Sequence, residues 1–304
     1  MQTIEEKNSI QNDISRYCGY FFSAMIVFYL IITLLGGLVL SGFVSSTDVV
    51  FYIVSSFFTV MAIVIVMMFV RDKTHEKIFD ISGLKPCKPI YFMFALFLAV
   101  GMFFGAGCVN LLVVNFATSL GVSVKVIDLP LSESWQLVVF SVLYGILPAC
   151  FEECFFRGLM FKCLQKKLSD ITASLFVAIC FALYHMNITQ LVYQFIYGFM
   201  LCLLVSKAKS VVPCFIAHTI NNLLIIWLKF FDVQINLYNP ILVALGVGLL
   251  VAFLGFLFLG HNKKTVNTRD ATPSNSDFIK KFFAKSFLGI FLCVLVALLN
   301  LVEL

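Results

Sequence analysis

The chain has 304 residues, 61% of them apolar and 12% charged, with a net charge of +5 and a mean hydropathy of +1.02. Soluble domains carry about 25% charged residues, and no water-soluble fold of this length hides so much apolar surface. The composition excludes a soluble enzyme, a nucleic-acid binder and a disordered scaffold, and the repeated apolar runs of about 18 to 25 residues indicate an all-α, polytopic transmembrane helical bundle, not a barrel.

In chain order, the apolar runs predict about nine spans, over 18–43, 51–70, 89–118, 136–163, 170–187, 189–206, 210–228, 240–260 and 284–302. The polar, acidic stretch 1–13 lacks the pattern of a signal peptide, so the first span is expected to remain as an anchor. The fifth and sixth spans are short and almost contiguous, which predicts a tight helical hairpin. The stretch 261–285 is the most polar of the chain and reads as a linker to an appended last helix. The ten cysteines carry no CxxC pair and mostly lie singly in apolar runs, as small buried thiols do.

Lys and Arg test this division. Along the successive tails and gaps they number 2, 0, 5, 1, 3, 0, 2, 1, 6 and 0, with Arg157 left inside a span. Eighteen therefore fall on one face and two on the other. The positive-inside rule makes the N-terminus cytoplasmic and the C-terminus extracytoplasmic. Trp135 and Trp227 fall at far-side ends of spans, where interfacial tryptophans belong.

Three charged side chains lie inside these spans: Glu152, Glu153 and Arg157, all in PACFEECFFRG. Each costs about 2.5–3.5 kcal/mol at a helix centre, so the three cost on the order of 8–10 kcal/mol before pairing. Glu153 and Arg157 are spaced i, i+4 and can pair as structural glue, but that pair does not account for Glu152. Of the four histidines, His75 and His261 lie beside lysines in loops, whereas His185 and His218 lie within spans. Asn222 follows His218 by one turn on the same face, while Asn221 points about a hundred degrees away. At ~1.5 Å per residue, Glu152, His185, His218 and Asn222 reach similar depths on three helices, which predicts a shared polar chamber.

A carboxylate, two imidazoles and a carboxamide suit hydrolysis without a protein nucleophile. The Glu acts as general base on water with a His to orient it, and a His with an Asn donates to the oxyanion. A zinc site is the competing reading, since Glu and two His are legitimate ligands, but HExxH is absent. Cys154 as nucleophile is a third reading, weakened by its apolar setting. A transporter would need discontinuous helices, of which Pro148 and Pro213 are the slight signs; Pro148 lies four residues before Glu152 and opens the helix there.

EECFFR at 152–157, FALYH at 181–185 and HTINN at 218–222 resemble the EExxxR, FxxxH and HxxxN motifs of the CPBP family, which holds the type II CAAX prenyl endopeptidases and the bacteriocin-processing or immunity proteins also called Abi. The resemblance covers about 130–230. It implies a CAAX-protease-like core over 89–230, with motifs in 136–228, preceded by anchor helices and a loop over 1–88 and followed by helices over 240–304. It also implies an intramembrane glutamate protease open toward the cytoplasm. In that reading Glu152 activates water, His185 helps hold it, and His218 and Asn222 form the oxyanion hole. Glu153, Arg157 and Phe181 are supporting residues, with Phe181 packed on the imidazole of His185, and neither metal nor other cofactor is required. The substrate is expected to be a peptide or lipidated peptide at the membrane lipid, with other membrane proteins as partners and no nucleic acid, in a bacterial cell membrane. The alternative on the same fold is a non-proteolytic immunity or scaffold protein.

Overall fold

The structure, a computed structural model, describes residues 4–45, 48–121, 129–259 and 274–302, and among these every regular element is helical. They are α1 (Ile4–Ser41), α2 (Val49–Thr74), the short α3 (Ile78–Ser82), α4 (Ile90–Ser119), α5 (Ser134–Gln165), α6 (Asp170–Tyr184), α7 (Leu191–Ala208), α8 (Val212–Phe230), α9 (Pro240–Leu259) and α10 (Ser274–Val302). Eight of them are long and apolar enough to cross a membrane. Large apolar side chains such as Leu34, Leu38, Ile241 and Phe258 stay more than half exposed on the outside, as lipid-facing positions do. The protein is an all-α polytopic membrane bundle. Most of the expected linker, 261–273, lies outside the described residues, as do Lys125 and His261.

The fifth expected span, 170–187, departs from the pattern and is too short to count among the eight. α6 has 15 residues and ends at Tyr184, with His185 as its C-cap and Met186 at a φ of 49°. The helix covers about 22 Å, less than the ~30 Å of hydrocarbon. It is started by Ser169, whose side chain accepts from the Thr172 amide at 3.2 Å. Beyond it, Asn187 caps the 188–190 turn by accepting from the Thr189 amide at 3.0 Å, and α7 returns.

Polar contacts show which helix ends lie together. At one end, Lys162 donates to the Asp80 carbonyl at 2.8 Å, the Val211 amide to the Gly83 carbonyl at 3.0 Å, Tyr91 to the Lys207 carbonyl at 3.1 Å and Gln165 to Asp170 at 2.9 Å. These join the lysine-bearing turns, so this is the basic end of the bundle. At the other end, Asn300 donates to the Met186 carbonyl at 3.2 Å and Asn115 to the Tyr238 hydroxyl at 2.7 Å. α1 and α10 run side by side in the same direction, with Ser23 Oγ donating to the Lys285 carbonyl at 2.9 Å and accepting from the Gly289 amide at 3.1 Å. α6 thus starts at the basic end and runs toward the opposite one, where the turn that follows it meets α10.

α5 holds the centre. It is not a uniform α-helix: wider π turns occupy Ser141–Ile146 and Cys154–Met160, on either side of the α-helical stretch Leu147–Glu153. Pro148 lies at the start of that stretch and has no amide proton for the preceding turn. At the basic end Gly158 lets α3 lie directly on α5, because a Cβ there would fall on the Ser82 backbone.

Candidate active site

The expected chamber exists. A cavity of about 530 Å³ is lined by Glu152 from α5, His185 from the end of α6, and His218 and Asn222 from α8. The four residues named from the motifs therefore share one space, and the wider turn after Glu153 is the kind of helix defect found at functional sites.

Glu153 does not line it. Its side chain is completely buried, and Oε1 accepts from Arg157 Nη1 at 2.7 Å and from His218 Nδ1 at 2.9 Å. Arg157, also completely buried, donates through Nη2 to the Gly198 carbonyl at 3.3 Å, and its guanidinium lies 4.2 Å from the centre of the Phe181 ring. Two charges deep in a bundle survive because each is paired and bonded. The i, i+4 pair predicted from spacing is therefore present, and it also grips the imidazole of His218.

That grip sets the tautomer. The carboxylate accepts the Nδ1 proton, which leaves Nε2 turned toward Glu152, with 3.9 Å between His218 Nε2 and Glu152 Oε2. This is too long for a direct hydrogen bond. Glu152 is almost fully buried; Oε1 accepts from the Tyr184 hydroxyl at 3.5 Å, and Oε2 has no protein partner. His185 is fixed in a similar way, its Nδ1 on the Phe181 carbonyl at 2.8 Å and its ring edge-on to Phe181 at 4.8 Å. Phe181 also packs against His218 at 5.9 Å, so this one ring touches both imidazoles and the guanidinium. Asn222 Nδ2 donates to the Gly145 carbonyl at 3.4 Å, a long bond that a better acceptor could replace.

Several cavity residues escaped the sequence reading. Asn221, expected to point elsewhere, also lines the cavity and accepts from the Tyr193 hydroxyl at 2.6 Å. Tyr184 stands next to His185 within the motif, a position that could have been noticed. Asn110 on α4 and Gln194 on α7 line the far wall, and their carboxamide oxygens are buried without a partner; single amides in long apolar runs gave little signal. Cys154 is buried and is not a lining residue. Among the described residues no three His, Cys, Asp or Glu side chains group as metal ligands.

The direction of the cavity corrects one expectation. Ser56 and Thr59 of α2, Gly107 and Asn110 of α4, Leu143 and Tyr144 of α5, Gln190 and Tyr193, Ile225 of α8 and Leu237 line it. All lie in the halves of their helices, or in the loops, away from the basic end. The chamber therefore extends from Glu152 away from Lys162 and Lys207, not toward them. Packing at the basic end, where α3 folds back under α5, is the reason.

Residues 134–224 match the family described as Type II CAAX prenyl endopeptidase Rce1-like. The match runs from the start of α5 to the middle of α8 and contains every motif residue named above. This stretch, under a third of the chain and inside the expected core 89–230, is thus similar to the domain of a membrane protease family. No curated protein and no solved structure matches the chain.

Proposed function

We propose that the protein is an intramembrane endopeptidase that hydrolyses a peptide bond in a membrane-associated or lipidated peptide through a Glu-activated water. The observation that carries this reading is the placement of Glu152 Oε2 and His218 Nε2 in one cavity, 3.9 Å apart. That separation fits one water that donates to Glu152 Oε2 and accepts from His218 Nε2–H when that imidazole carries its second proton, since two bonds of about 2.8 Å can meet over it.

Glu152 takes a proton from the water as its oxygen attacks the scissile carbonyl. His185, with Nδ1 committed to the Phe181 carbonyl, offers the lone pair of Nε2 to the water's second proton. The oxyanion is met by Asn222 Nδ2 and by His218 Nε2 when that imidazole carries its second proton, with Glu153 behind it. Collapse of the tetrahedral species breaks the C–N bond, and Glu152 returns its proton to the leaving amine. Asn110, Gln194 and Asn221 give the remaining walls the donor and acceptor pairs that a peptide main chain requires. No step needs a metal or a cofactor.

The test is a comparison of membrane peptides from cells carrying the wild-type chain or Glu152→Gln. Peptides shortened by cleavage should disappear in the variant while the protein persists. Identical peptide profiles at equal abundance would favour the non-proteolytic immunity or scaffold role.

A further inference from the structure

Access to this chamber is set by the shape of the bundle. The basic end is closed beneath Glu152. There Phe155, Phe156, Met160 and Phe161 are essentially without exposure, and α3 lies against Gly158. Hydrogen bonds from Lys162 to the Asp80 carbonyl, from Val211 to the Gly83 carbonyl and from Ser210 to the Lys85 carbonyl hold that segment across the helix ends.

The opposite end is built for entry. α6 is about 8 Å shorter than the hydrocarbon is thick, and it is followed at that end by the polar, non-helical turn with Asn187, Thr189 and Gln190. Such backbone is tolerated in a bundle where it borders a water-filled cavity, and Gln190 and Leu237, both at this end, line the chamber. Eighteen of the 21 Lys and Arg fall, by sequence, in tails and turns of the closed end, and Lys125 and Lys229 belong to the open one.

From these observations we infer that the cavity is entered from the extracytoplasmic face, and that its substrate is a peptide segment presented on that side: the membrane-proximal stretch of an exported or outer-leaflet-anchored peptide, not a cytoplasmic lipidated tail. The substrate class rests on the endopeptidase reading; the entry face does not.

Sidedness is read by labelling full-length chains in intact cells with a membrane-impermeant maleimide, the unsubstituted chain giving the background of native cysteines. Gln234→Cys, in an exposed loop of the open end, should label several-fold above background without permeabilisation, and Lys88→Cys, exposed at the closed end, only after it. Asn110→Cys and Gln194→Cys, two positions within the cavity, should follow Gln234→Cys. Cavity positions that label only when Lys88→Cys does would overturn the inference. A soluble peptide library is then offered to right-side-out and inside-out vesicles, with Glu152→Gln vesicles as the control. Cleavage by right-side-out vesicles is expected, and cleavage confined to inside-out vesicles contradicts the entry face. Absence of cleavage in both, with the labelling as expected, removes the endopeptidase reading and its substrate class and leaves the entry face standing.

Discussion

Glu153 holds His218: its Oε1 receives the Nδ1 proton at 2.9 Å while the same oxygen receives Arg157 at 2.7 Å. The two adjacent glutamates of α5 are thereby separated in role. Glu152 faces the chamber, and Glu153 supports the imidazole that faces it.

Glu152→Gln keeps the size and most of the packing of the side chain and removes the base. Cleavage should fall by about 10²–10⁴, the range of a general-base contribution, with membrane abundance near that of the wild type. Quantitative blotting beside a cleavage assay checks both; a variant that stays active would remove Glu152 from the chemistry.

Glu153→Gln should act first on stability. Arg157 would lose its carboxylate partner in a fully buried site, and breaking a buried pair costs about 3–5 kcal/mol. Reduced abundance and a lowered melting temperature in detergent are expected. Replacing the pair together, as Glu153→Leu with Arg157→Met, should recover much of the stability, because apolar residues of similar size often substitute well for a buried ion pair. Activity should not return, since His218 would still lack its support. Recovery of both would mean that Glu153 serves Arg157 alone.

Gly158→Ala should displace α3, since the new methyl would collide with the Ser82 backbone. Gly248→Ala is the matched control: a Cβ there meets nothing within 4 Å, and in a helix the change adds about 0.8–1.0 kcal/mol of intrinsic propensity. Melting temperatures of the two variants should move in opposite directions. Equal behaviour would show that α3 is not seated on α5.

Activity should survive dialysis against a strong chelator, and purified protein should hold less than one zinc per chain. His218 and His185 each spend Nδ1 on another partner, and Glu153 is engaged by Arg157 and His218. Inactivation by the chelator that added zinc reverses, with stoichiometric metal by elemental analysis, would recast Glu152, His185 and His218 as ligands.

Much of this protein was legible in one dimension. The apolar runs specified a helical membrane bundle because lipid leaves the backbone few other ways to satisfy its hydrogen bonds. Charge inside those runs singled out Glu152, Glu153 and Arg157, and i, i+4 spacing paired two of them. Periodicity fixes angle and height on one helix, which sufficed to place Glu152, His185, His218 and Asn222 at a common level. Sideways neighbours are not encoded in any single helix. That Glu153 would also grip His218, that Phe181 would touch Arg157 and both imidazoles, and that Asn110, Gln194 and Asn221 would complete the walls depended on how α4, α5, α6, α7 and α8 pack. The opening of the chamber was decided in the same way. Between two ends of similar apolar helices, α3 folds back over Gly158 and seals one, while the early stop of α6 at His185 leaves a polar turn at the other, where Gln190 lines the chamber.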